Sequence, residues 1–357
     1  MSLTALIEAW DGVATIASYD RPTGTWIFIC LHDTTLGPCT GGTRMKVYPA
    51  PEDGLLDAMR LAEGMTHKWA SIDQNFGGGK AVLAIPRALE GAEREGLLRR
   101  YARRLDALAG GFWTGEDLGT TTADFRVLAE ETRWVHGFDP DSGEKLDPSP
   151  YTAQGVFRGI EAALERVFGS ASAAGRTVLI EGAGNVGGRL GDLLAGGGAE
   201  LLVTDLDPER ARALAQRHGA RVVPLETACE TACDVYSPCA VGATINPATS
   251  SRLACRIVAG SANNQLSVPE QAEVLRDRGI LYVPDYVINS GGALSFALLS
   301  QGVAPGEPLL GEMDRVGRIV GEILDEAAEA GEGPLEAARR RVERKLANGK
   351  NSRPARQ

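Results

Sequence analysis

The sequence predicts an α/β protein of two domains, the second of which contains a doubly wound parallel sheet. Three observations lead to this prediction. The chain has 357 residues, more than one hydrophobic core usually supports. Residues 139–150 are rich in Pro, Gly, Asp and Ser, which is the composition of a linker. Beyond them, short apolar segments alternate with helical ones to about residue 285, the pattern of a parallel sheet covered by helices.

The first domain, expected over residues 1–148, mixes strands and helices. Its elements follow from alternating apolar residues for strands and from apolar residues at a spacing of three or four for helices. The expected elements are a β-hairpin (13–19 and 25–31), a helix (51–69), a short buried strand (81–85) and an amphipathic helix (92–108).

The second domain, expected over residues 149–324, begins with a helix and continues with a βαβ unit. The expected elements are a helix (152–168), a strand (177–180), a helix (185–194) and a strand (200–204). A charged helix over about 325–357 follows, and we expect it to return to the first domain.

Composition excludes several classes of protein. A net charge of −10 argues against a nucleic-acid partner, because phosphate binding requires clustered cations. The sequence has no basic segment followed by an apolar one at its N-terminus and no apolar run long enough to cross a bilayer, so we expect a soluble, cytoplasmic protein. Its six cysteines have no metal-site spacing, and we expect neither a metal nor disulfides.

A glycine motif predicts a dinucleotide site. Gly182, Gly184 and Gly187 form a G-x-G-x-x-G pattern directly after an apolar strand and at the start of a helix, and Asp205 ends the next strand. The three glycines suit a tight turn, close approach of a pyrophosphate and close helix–strand packing, and the helix N-terminus favours the phosphate charge. This is a Rossmann-type arrangement. An acid at the ribose favours NAD over NADP, although Arg210 lies nearby in sequence; the alternative is a glycine turn that binds no nucleotide.

Two lysines and one carboxylate are candidates for chemistry. Lys68 lies in a largely apolar helix, and Lys80 follows three glycines and precedes an apolar strand. Partial burial disfavours the charged form of a lysine, which can make it a base near neutral pH. Asp117, in a glycine-bracketed loop, is suited to relaying protons. The alternatives are that both lysines extend to solvent and that Asp117 caps the helix beginning near Thr121.

Taken together, the motifs resemble the leucine, valine and phenylalanine dehydrogenase branch of the glutamate/amino-acid dehydrogenase superfamily. The resemblance runs from residue 36 to at least residue 292. The motifs that carry it are Gly41-Gly42-Thr43-Arg44-Met45, Gly64-Met65-Thr66 with Lys68, Gly77-Gly78-Gly79-Lys80, Glu116-Asp117, Pro148-Ser149-Pro150 with Thr152, the nucleotide fingerprint, Ser237-Pro238-Cys239-Ala240, Gly260-Ser261-Ala262-Asn263-Asn264-Gln265 and Pro284-Asp285-Tyr286 with Asn289.

The resemblance implies a role for each site residue. Lys80 is the implied catalytic base, and Asp117 assists proton transfer. Lys68 binds the substrate carboxylate, Gly41 and Gly42 adjoin the substrate, and Asn264 contacts both substrate and nicotinamide. The implied NAD contacts are Thr152, Asn185, Val186 and Ala240, in addition to the fingerprint glycines and Asp205.

The implied reaction is reversible oxidative deamination in a cleft between the domains. A hydride leaves the substrate Cα for NAD, water activated by Lys80 attacks the resulting iminium, and the carbinolamine collapses to the 2-oxo acid and ammonium. Closure of the cleft is expected to exclude water and bring the reacting atoms together.

The resemblance also bears on the substrate. Glutamate dehydrogenases carry a lysine where this chain has Thr40, which favours an apolar substrate. Gly115 and Ala293 stand where leucine-type enzymes tend to have alanine and valine. Both changes remove volume, and phenylalanine-type enzymes resemble the chain at both positions. We therefore expect a large or aromatic side chain such as phenylalanine first, and leucine or valine next.

Two other functions remain open at this point. One is a catalytically inactive NAD-binding regulatory protein of the same fold, against which the lysine–acid set argues. The other is a 2-hydroxy-acid dehydrogenase, which generally uses a His–carboxylate pair with an arginine. The four histidines of this chain show no such setting. The resemblance further implies a homo-oligomer, and it implies that the first domain, residues 1–148, binds substrate and mediates oligomerisation.

Overall fold

The computed structural model describes residues 3–138 and 143–352 and divides into two compact units. Unit 1 comprises Met1–Leu146 and Val342–Gln357, and unit 2 comprises Asp147–Arg341. Part of the expected linker, residues 139–142, and the end of the expected C-terminal helix, residues 353–357, lie outside the described residues. Among those described, no helix is both long enough and apolar enough to cross a membrane.

Unit 1 is built on a five-stranded mixed sheet. Its elements are α1 (Leu3–Trp10), β1 (Ala14–Asp20), β2 (Thr25–Asp33), β3 (Cys39–Val47), α2 (Pro51–Ser71), β4 (Gly77–Ile85), α3 (Gly91–Asp106), β5 (Phe112–Glu116) and α4 (Thr122–Glu131). The strand order is β1-β2-β4-β3-β5. β1, β2 and β4 pair antiparallel, whereas β3 pairs parallel with both β4 and β5. The expected hairpin, both expected helices and the expected strand are therefore confirmed.

Helices cover the two faces of this sheet because its strands alternate their apolar side chains. On one face, Ile27, Leu83 and Met45 pack with residues of α3 and α4. On the other, Phe28 and Val82 pack against the apolar side of α2. Alternation of this kind buries a sheet on both sides and is the reason the segment folds as an α/β layer.

Three glycines begin β4, so the strand is longer than the expected 81–85. Glycine is a poor strand former, and the sequence pattern therefore underestimates this element. Close packing explains the glycines: a Cβ at Gly78 would lie 2.1 Å from Thr66 Oγ1 on α2, and one at Gly79 would lie 2.8 Å from the Phe112 ring. α2 can approach the strand only where side chains are missing.

Unit 2 is a doubly wound parallel sheet, as the sequence predicts. Its elements are α5 (Ser149–Phe168), β6 (Thr177–Glu181), α6 (Asn185–Gly196), β7 (Glu200–Thr204), α7 (Pro208–His218), β8 (Arg221–Val222), a 3₁₀ helix (Leu225–Glu230), β9 (Val235–Pro238), α8 (Pro247–Ser250), β10 (Ile257–Val258), α9 (Gln271–Asp277), β11 (Leu281–Tyr282), α10 (Asp285–Ile288), α11 (Gly291–Ser300), α12 (Glu307–Gly311), α13 (Asp314–Ala330) and α14 (Pro334–Ser352). The strand order β11-β10-β9-β6-β7-β8 reverses direction between β6 and β9. Ligands of such sheets bind beyond the carboxyl ends of the strands at this reversal.

The C-terminal region differs from the single helix expected over about 325–357. α13 ends at Ala330 and α14 begins at Pro334. Gly331 caps α13 with φ at +67°, a left-handed conformation that suits glycine, and proline then starts the next helix. The residues of α14 are divided between unit 2, which ends at Arg341, and unit 1, which resumes at Val342.

Candidate active site

Lys80 and Asp117 form a buried ion pair in unit 1. Lys80 lies on β4 with only 5% of the residue exposed, and its Nζ is 3.2 Å from Asp117 Oδ2 just beyond β5. Burial lowers the pKa of Lys80, and the positive charge of Arg44 lowers it further, while Asp117 opposes both effects. The net shift of the pKa is downward, so at a given pH a larger fraction of Lys80 is neutral than of a surface lysine. Lys80 therefore does not extend to solvent.

Arg44 completes this cluster, and sequence reasoning did not assign it a role. Its Nε donates to Asp117 Oδ2 at 2.7 Å, and its Nη1 donates to Asp57 Oδ2 at 2.8 Å. Tyr48 also donates to Asp57, at 2.7 Å. Burial alone would raise the pKa of Asp117, but Lys80 and Arg44 outweigh it, so the pKa lies below its usual value and the carboxylate is ionised.

Asp117 does not cap the following helix. That role belongs to Thr121, whose side chain accepts a hydrogen bond from Asp124 N, while the Asp124 carboxylate accepts one from Thr121 N. This reciprocal capping box anchors the start of α4. It leaves the Asp117 carboxylate to Arg44 and Lys80.

Gly42 and Gly115 leave the sheet bare beside the ion pair, and we refer to these two residues as the glycine floor. They are direct partners in the β3–β5 register. A Cβ at Gly42 would lie 2.9 Å from Asp117 Cβ and 3.1 Å from Lys80 Nζ, so a side chain there would crowd the pair. A Cβ at Gly115 would meet only His136 Cβ, at 3.9 Å. The glycine floor thus has space for an added methyl group at Gly115 but not at Gly42.

The other substrate candidates of unit 1 lie near the start of β3. The Thr40 carbonyl accepts a hydrogen bond from Trp69 Nε1 at 3.0 Å, which brings the last turn of α2, containing Lys68, to this strand. Gly41 is in close contact with β4, since a Cβ there would lie 1.8 Å from Gly79 O. Lys68 is partly buried. The predicted substrate residues of unit 1 therefore share one end of the sheet.

The glycine fingerprint lies at the strand reversal of unit 2. Gly182 has φ at +104°, and a Cβ there would lie 2.7 Å from Ala240 Cβ, which follows β9. A Cβ at Gly187 would lie 1.8 Å from Gly182 O, so the turn closes tightly on itself. A Cβ at Gly184, by contrast, would meet nothing within 4 Å. Open space above Gly184, at the N-terminus of α6 with Asn185 and Val186 in its first turn, fits a dinucleotide pyrophosphate.

Asp205 is fixed at the end of β7. Its carboxylate accepts hydrogen bonds from Ala183 N at 2.6 Å and from Asp207 N at 2.8 Å. The first bond ties it to the fingerprint loop, where the ribose of a dinucleotide is held in this fold. Arg210 instead pairs with Asp207, 3.4 Å away. Arg210 is therefore paired with Asp207, and the Asp205 carboxylate is held by backbone N–H groups.

Asn264 lies in a loop of unit 2 that is braced by the downstream motif. Its φ is +51°, and its carbonyl accepts a hydrogen bond from Ala243 N at 2.7 Å. Asp285 accepts from Gln265 N at 2.8 Å, and Asn289 Nδ2 donates to Asn263 Oδ1 at 2.8 Å. The motif residues after β11 thus hold the loop that presents Asn264.

Thr152 and Ala293 lie where α5 meets α11. A Cβ at Gly292 would lie 2.7 Å from Thr152 Oγ1, and one at Gly291 would lie 2.2 Å from Tyr151 O. Thr152 Oγ1 donates to the Pro148 carbonyl at 3.0 Å. The two glycines allow these helices to meet, which fixes Thr152 beside the turn that precedes Ala293.

Comparison with known proteins assigns the family. A family model described as Glu/Leu/Phe/Val dehydrogenase, dimerisation domain, matches residues 23–134. A second, described as glutamate/leucine/phenylalanine/valine dehydrogenase, matches residues 200–301. Leucine dehydrogenase from Thermoactinomyces intermedius is 42% identical over 298 residues, which are 83% of this chain and 81% of that protein. The chain belongs to the Glu/Leu/Phe/Val dehydrogenase family.

Other members of the family match over most of their length. Phenylalanine dehydrogenase from Lysinibacillus sphaericus is 37% identical over 332 residues, covering 92% of this chain and 86% of that one. The structure of L-tryptophan dehydrogenase from Nostoc punctiforme superposes with a TM-score of 0.85 at 34% identity, covering 98% of this chain and 100% of that one. The chain is therefore an amino-acid dehydrogenase of the Leu/Phe/Val branch, an NAD(P)-dependent enzyme that acts on CH–NH₂ donors.

Proposed function

We propose that this dehydrogenase interconverts an apolar L-amino acid and its 2-oxo acid, with ammonium and NADH, and that it prefers a large or aromatic side chain, with leucine or valine next. The observation that carries the proposal is the buried Lys80–Asp117 pair beside the glycine floor. It combines a lysine of lowered pKa with space for a substrate.

Lys80 serves as the base in this proposal. Its neutral amine accepts a proton at Nζ from the attacking water, and Asp117 Oδ2, 3.2 Å away, stabilises the ammonium that results. Because Arg44 also holds Asp117, the carboxylate keeps its position as the lysine changes charge. Asp117 further assists proton transfer at the substrate amine, and Lys68 binds the substrate carboxylate.

Unit 2 would hold the dinucleotide in the NAD form. Bound NAD supplies the hydride acceptor. The pyrophosphate would lie above Gly184 at the start of α6, and Asp205 would accept hydrogen bonds from the ribose hydroxyls. Thr152, Ala240 and Asn264 are proposed as further contacts of the nucleotide or the substrate. The negative charge of Asp205 supports NAD over NADP, which carries a phosphate at that ribose.

The preference for apolar substrates is supported by Thr40. Its neutral side chain stands where glutamate-specific relatives carry a lysine for the distal carboxylate. The preference for a large side chain is supported by Gly115, above which a methyl group would meet only one atom. Dehydrogenases named for leucine, phenylalanine and tryptophan are 42%, 37% and 34% identical to this chain, so the preference proposed here rests on Thr40 and Gly115.

The deciding experiment is NADH formation by the purified protein with each L-amino acid at alkaline pH. Turnover with phenylalanine, tryptophan, leucine or valine but not glutamate is expected. Lys80→Ala should abolish turnover and retain NAD binding measured by fluorescence. Turnover by Lys80→Ala would refute the assignment of the base, and reduction of 2-oxo acids without ammonium would refute the reaction.

The pocket volume can be tested at Gly115. Gly115→Ala adds a methyl group to the floor with only an ordinary contact to His136, so the fold should be retained. We expect the ratio of kcat/KM for phenylalanine over valine to fall about tenfold, the usual effect of one methyl group in a pocket. A control is Gly64→Ala on α2, where a Cβ meets nothing within 4 Å. An unchanged ratio would remove Gly115 from the pocket.

We also propose that the enzyme is a homo-oligomer. The support is the match of residues 23–134 to a domain described as a dimerisation domain. Analytical ultracentrifugation of the purified chain would test this, and a monomer at micromolar concentration would contradict it.

A further inference from the structure

His136 is a buried histidine whose Nε2 has no hydrogen-bond partner among the residues that the structure describes. The residue is 6% exposed, and burial lowers its pKa to about 4, so the ring is neutral near pH 7. Its ring lies against Trp113, with centroids 5.2 Å apart, and meets the edge of Phe76 at 6.3 Å. A buried polar atom without a partner is costly, and such exceptions often mark a function.

The strand register places His136 in line with the catalytic pair. The pairs Thr40–Gly78 and Thr43–Ala81 put Gly42 beside Lys80, and Gly42 pairs with Gly115. The bridge between Thr114 and Val135 then puts Gly115 beside His136, in agreement with the 3.9 Å between a Cβ at Gly115 and His136 Cβ. Residues that pair across strands point to the same face.

The result is a row of four residues in which Lys80 and His136 enclose the glycine floor. Three strand spacings of about 4.8 Å separate their Cα atoms by roughly 14 Å. A substrate whose Cα lies near Lys80 can extend its side chain over Gly115 toward the imidazole. Small aliphatic side chains would end short of His136, whereas a large aromatic ring would cover the floor.

A second buried polar atom lies in the same neighbourhood. Thr40 is 3% exposed, its Oγ1 has no hydrogen-bond partner among the described residues, and it pairs in register with Trp113. The aromatic rings of Trp113 and Phe76 form the apolar surroundings of His136. A ligand with an aromatic ring would pack against Trp113 and Phe76. A hydrogen-bond donor on that ring would supply the partner that His136 Nε2 lacks.

We propose that His136 Nε2 accepts a hydrogen bond from an N–H or O–H group on the aromatic side chain of the substrate, so that the enzyme selects such amino acids over phenylalanine. The inference rests on the proposed function of the Lys80 site. It requires the tautomer of His136 with its proton on Nδ1. Two side chains carry the required donor, the indole of tryptophan and the phenol of tyrosine, and the assay distinguishes them.

The test compares kcat/KM for tryptophan, tyrosine, phenylalanine and leucine in the wild type, His136→Phe and His136→Gln. The wild type should prefer tryptophan or tyrosine to phenylalanine. His136→Phe retains an aromatic ring but not the acceptor, and should lower that preference roughly three- to tenfold, the effect of one hydrogen bond. His136→Gln restores an acceptor and should recover part of it. Rates with leucine should change little. The control is His218→Gln, a change at a half-buried histidine on α7 that pairs with Asp192.

A measurement on the unaltered enzyme provides a second test, in case His136→Phe does not fold. If tryptophan is preferred, 3-benzothienyl-L-alanine, in which sulfur replaces the indole N–H, should be a poorer substrate by a similar factor. If tyrosine is preferred, the same holds for 4-methoxy-L-phenylalanine. Equal rates for the donor and its analogue, or equal losses for all amino acids in His136→Phe, would overturn the inference. If wild type turns over none of the amino acids, the proposed function itself fails.

Discussion

The charges of Asp117 and Arg44 act together on the pKa of Lys80. Asp117 accepts from Arg44 and lies next to Lys80, so a single carboxylate is shared by two cations. If Asp117 were paired with Lys80 alone, the pair would favour a permanently protonated lysine. Arg44 takes part of the carboxylate's interaction and adds a repulsive charge, and burial acts in the same direction.

Arg44→Gln should move the pH dependence of deamination to higher pH. In the proposed mechanism deamination requires neutral Lys80, so its rate should rise with pH through the pKa of that lysine. Without the arginine charge that pKa rises, and we expect the rising limb of log kcat to shift by about one pH unit. Arg60→Gln is the matched control, because Arg60 contacts Asp57 and is mostly exposed. If the rising limb of log kcat in Arg44→Gln lies at the same pH as in the wild type, Arg44 does not affect the pKa of Lys80.

Asp205→Asn should relax the preference for NAD. The amide retains an oxygen for Ala183 N, which holds the fingerprint loop, and removes the charge that repels a ribose phosphate. We expect the ratio of kcat/KM for NAD over NADP to fall at least tenfold. Asp205→Ala should give the same direction with weaker binding of both cofactors. Unchanged ratios in both variants would mean that Asp205 does not face the ribose.

The sequence indicated Lys80 and Asp117 as separate candidates, but it could not indicate the residues that surround them. Arg44 and Asp117 are 73 positions apart in the chain and meet only because β3 and β5 are neighbours. In the sequence, His136 is one of four histidines without a pairing motif. Its position beside Gly115 depends on a single bridge at the sheet edge, and no local pattern predicts such a bridge.

In the fingerprint turn, substitutions at Gly187 and Gly184 should have different effects, the first on stability and the second on NAD binding. Gly187→Ala places a methyl group against Gly182 O and should destabilise unit 2 by about 1–3 kcal/mol or more, measured by thermal unfolding. Gly184→Ala meets no atom of the protein, so its stability should change by less than about 1 kcal/mol. Its affinity for NAD should nevertheless fall, because the methyl group occupies the space expected for the pyrophosphate. Unimpaired NAD binding by Gly184→Ala would place the nucleotide elsewhere.

Helices and apolar strands could be read from periodicity, whereas glycine-containing strands could not. The order of alternating elements after residue 177 was sufficient to predict the parallel sheet of unit 2. The sequence pattern predicts no strand at β3, and at β5 it predicts a strand over 111–113 followed by a loop at Gly115, whereas the strand continues to Glu116. Both strands contain the glycine floor, where the need for bare backbone overrides strand propensity. Sequence patterns are therefore weakest in the parts of β3 and β5 that adjoin the Lys80–Asp117 pair.

The chain enters unit 1 twice, and the second segment is short. α14 contributes residues from Val342 onward, where Lys345 Nζ lies 3.6 Å from Asp73 Oδ1 and a Cβ at Gly349 would lie 2.9 Å from the Leu36 side chain. This segment packs against the loop before β3, at Leu36, and the loop before β4, at Asp73. Because these two strands carry Gly42 and Lys80, the last helix supports the candidate site from outside it.

Ending the chain after Arg341 should therefore lower the unfolding temperature of unit 1. We expect calorimetry to show a destabilised first transition and reduced turnover, with NAD binding retained. Lys345→Ala is the control, since an ion pair that is partly exposed contributes about 1 kcal/mol or less. A truncated protein with the stability and activity of the full chain would show that α14 is dispensable for unit 1.

The two-part composition of unit 1 also sets an order of events during synthesis on the ribosome. All of unit 2, Asp147–Arg341, is translated between the two segments that make up unit 1. At elongation rates of about 5–20 residues per second, the strands bearing Lys80 and Asp117 wait on the order of ten seconds or more for Val342 and the residues that follow it. If unit 2 binds the dinucleotide and Lys80 is the base, as proposed, unit 2 can fold while unit 1 is still incomplete, and a nascent chain should acquire affinity for the cofactor before it acquires activity.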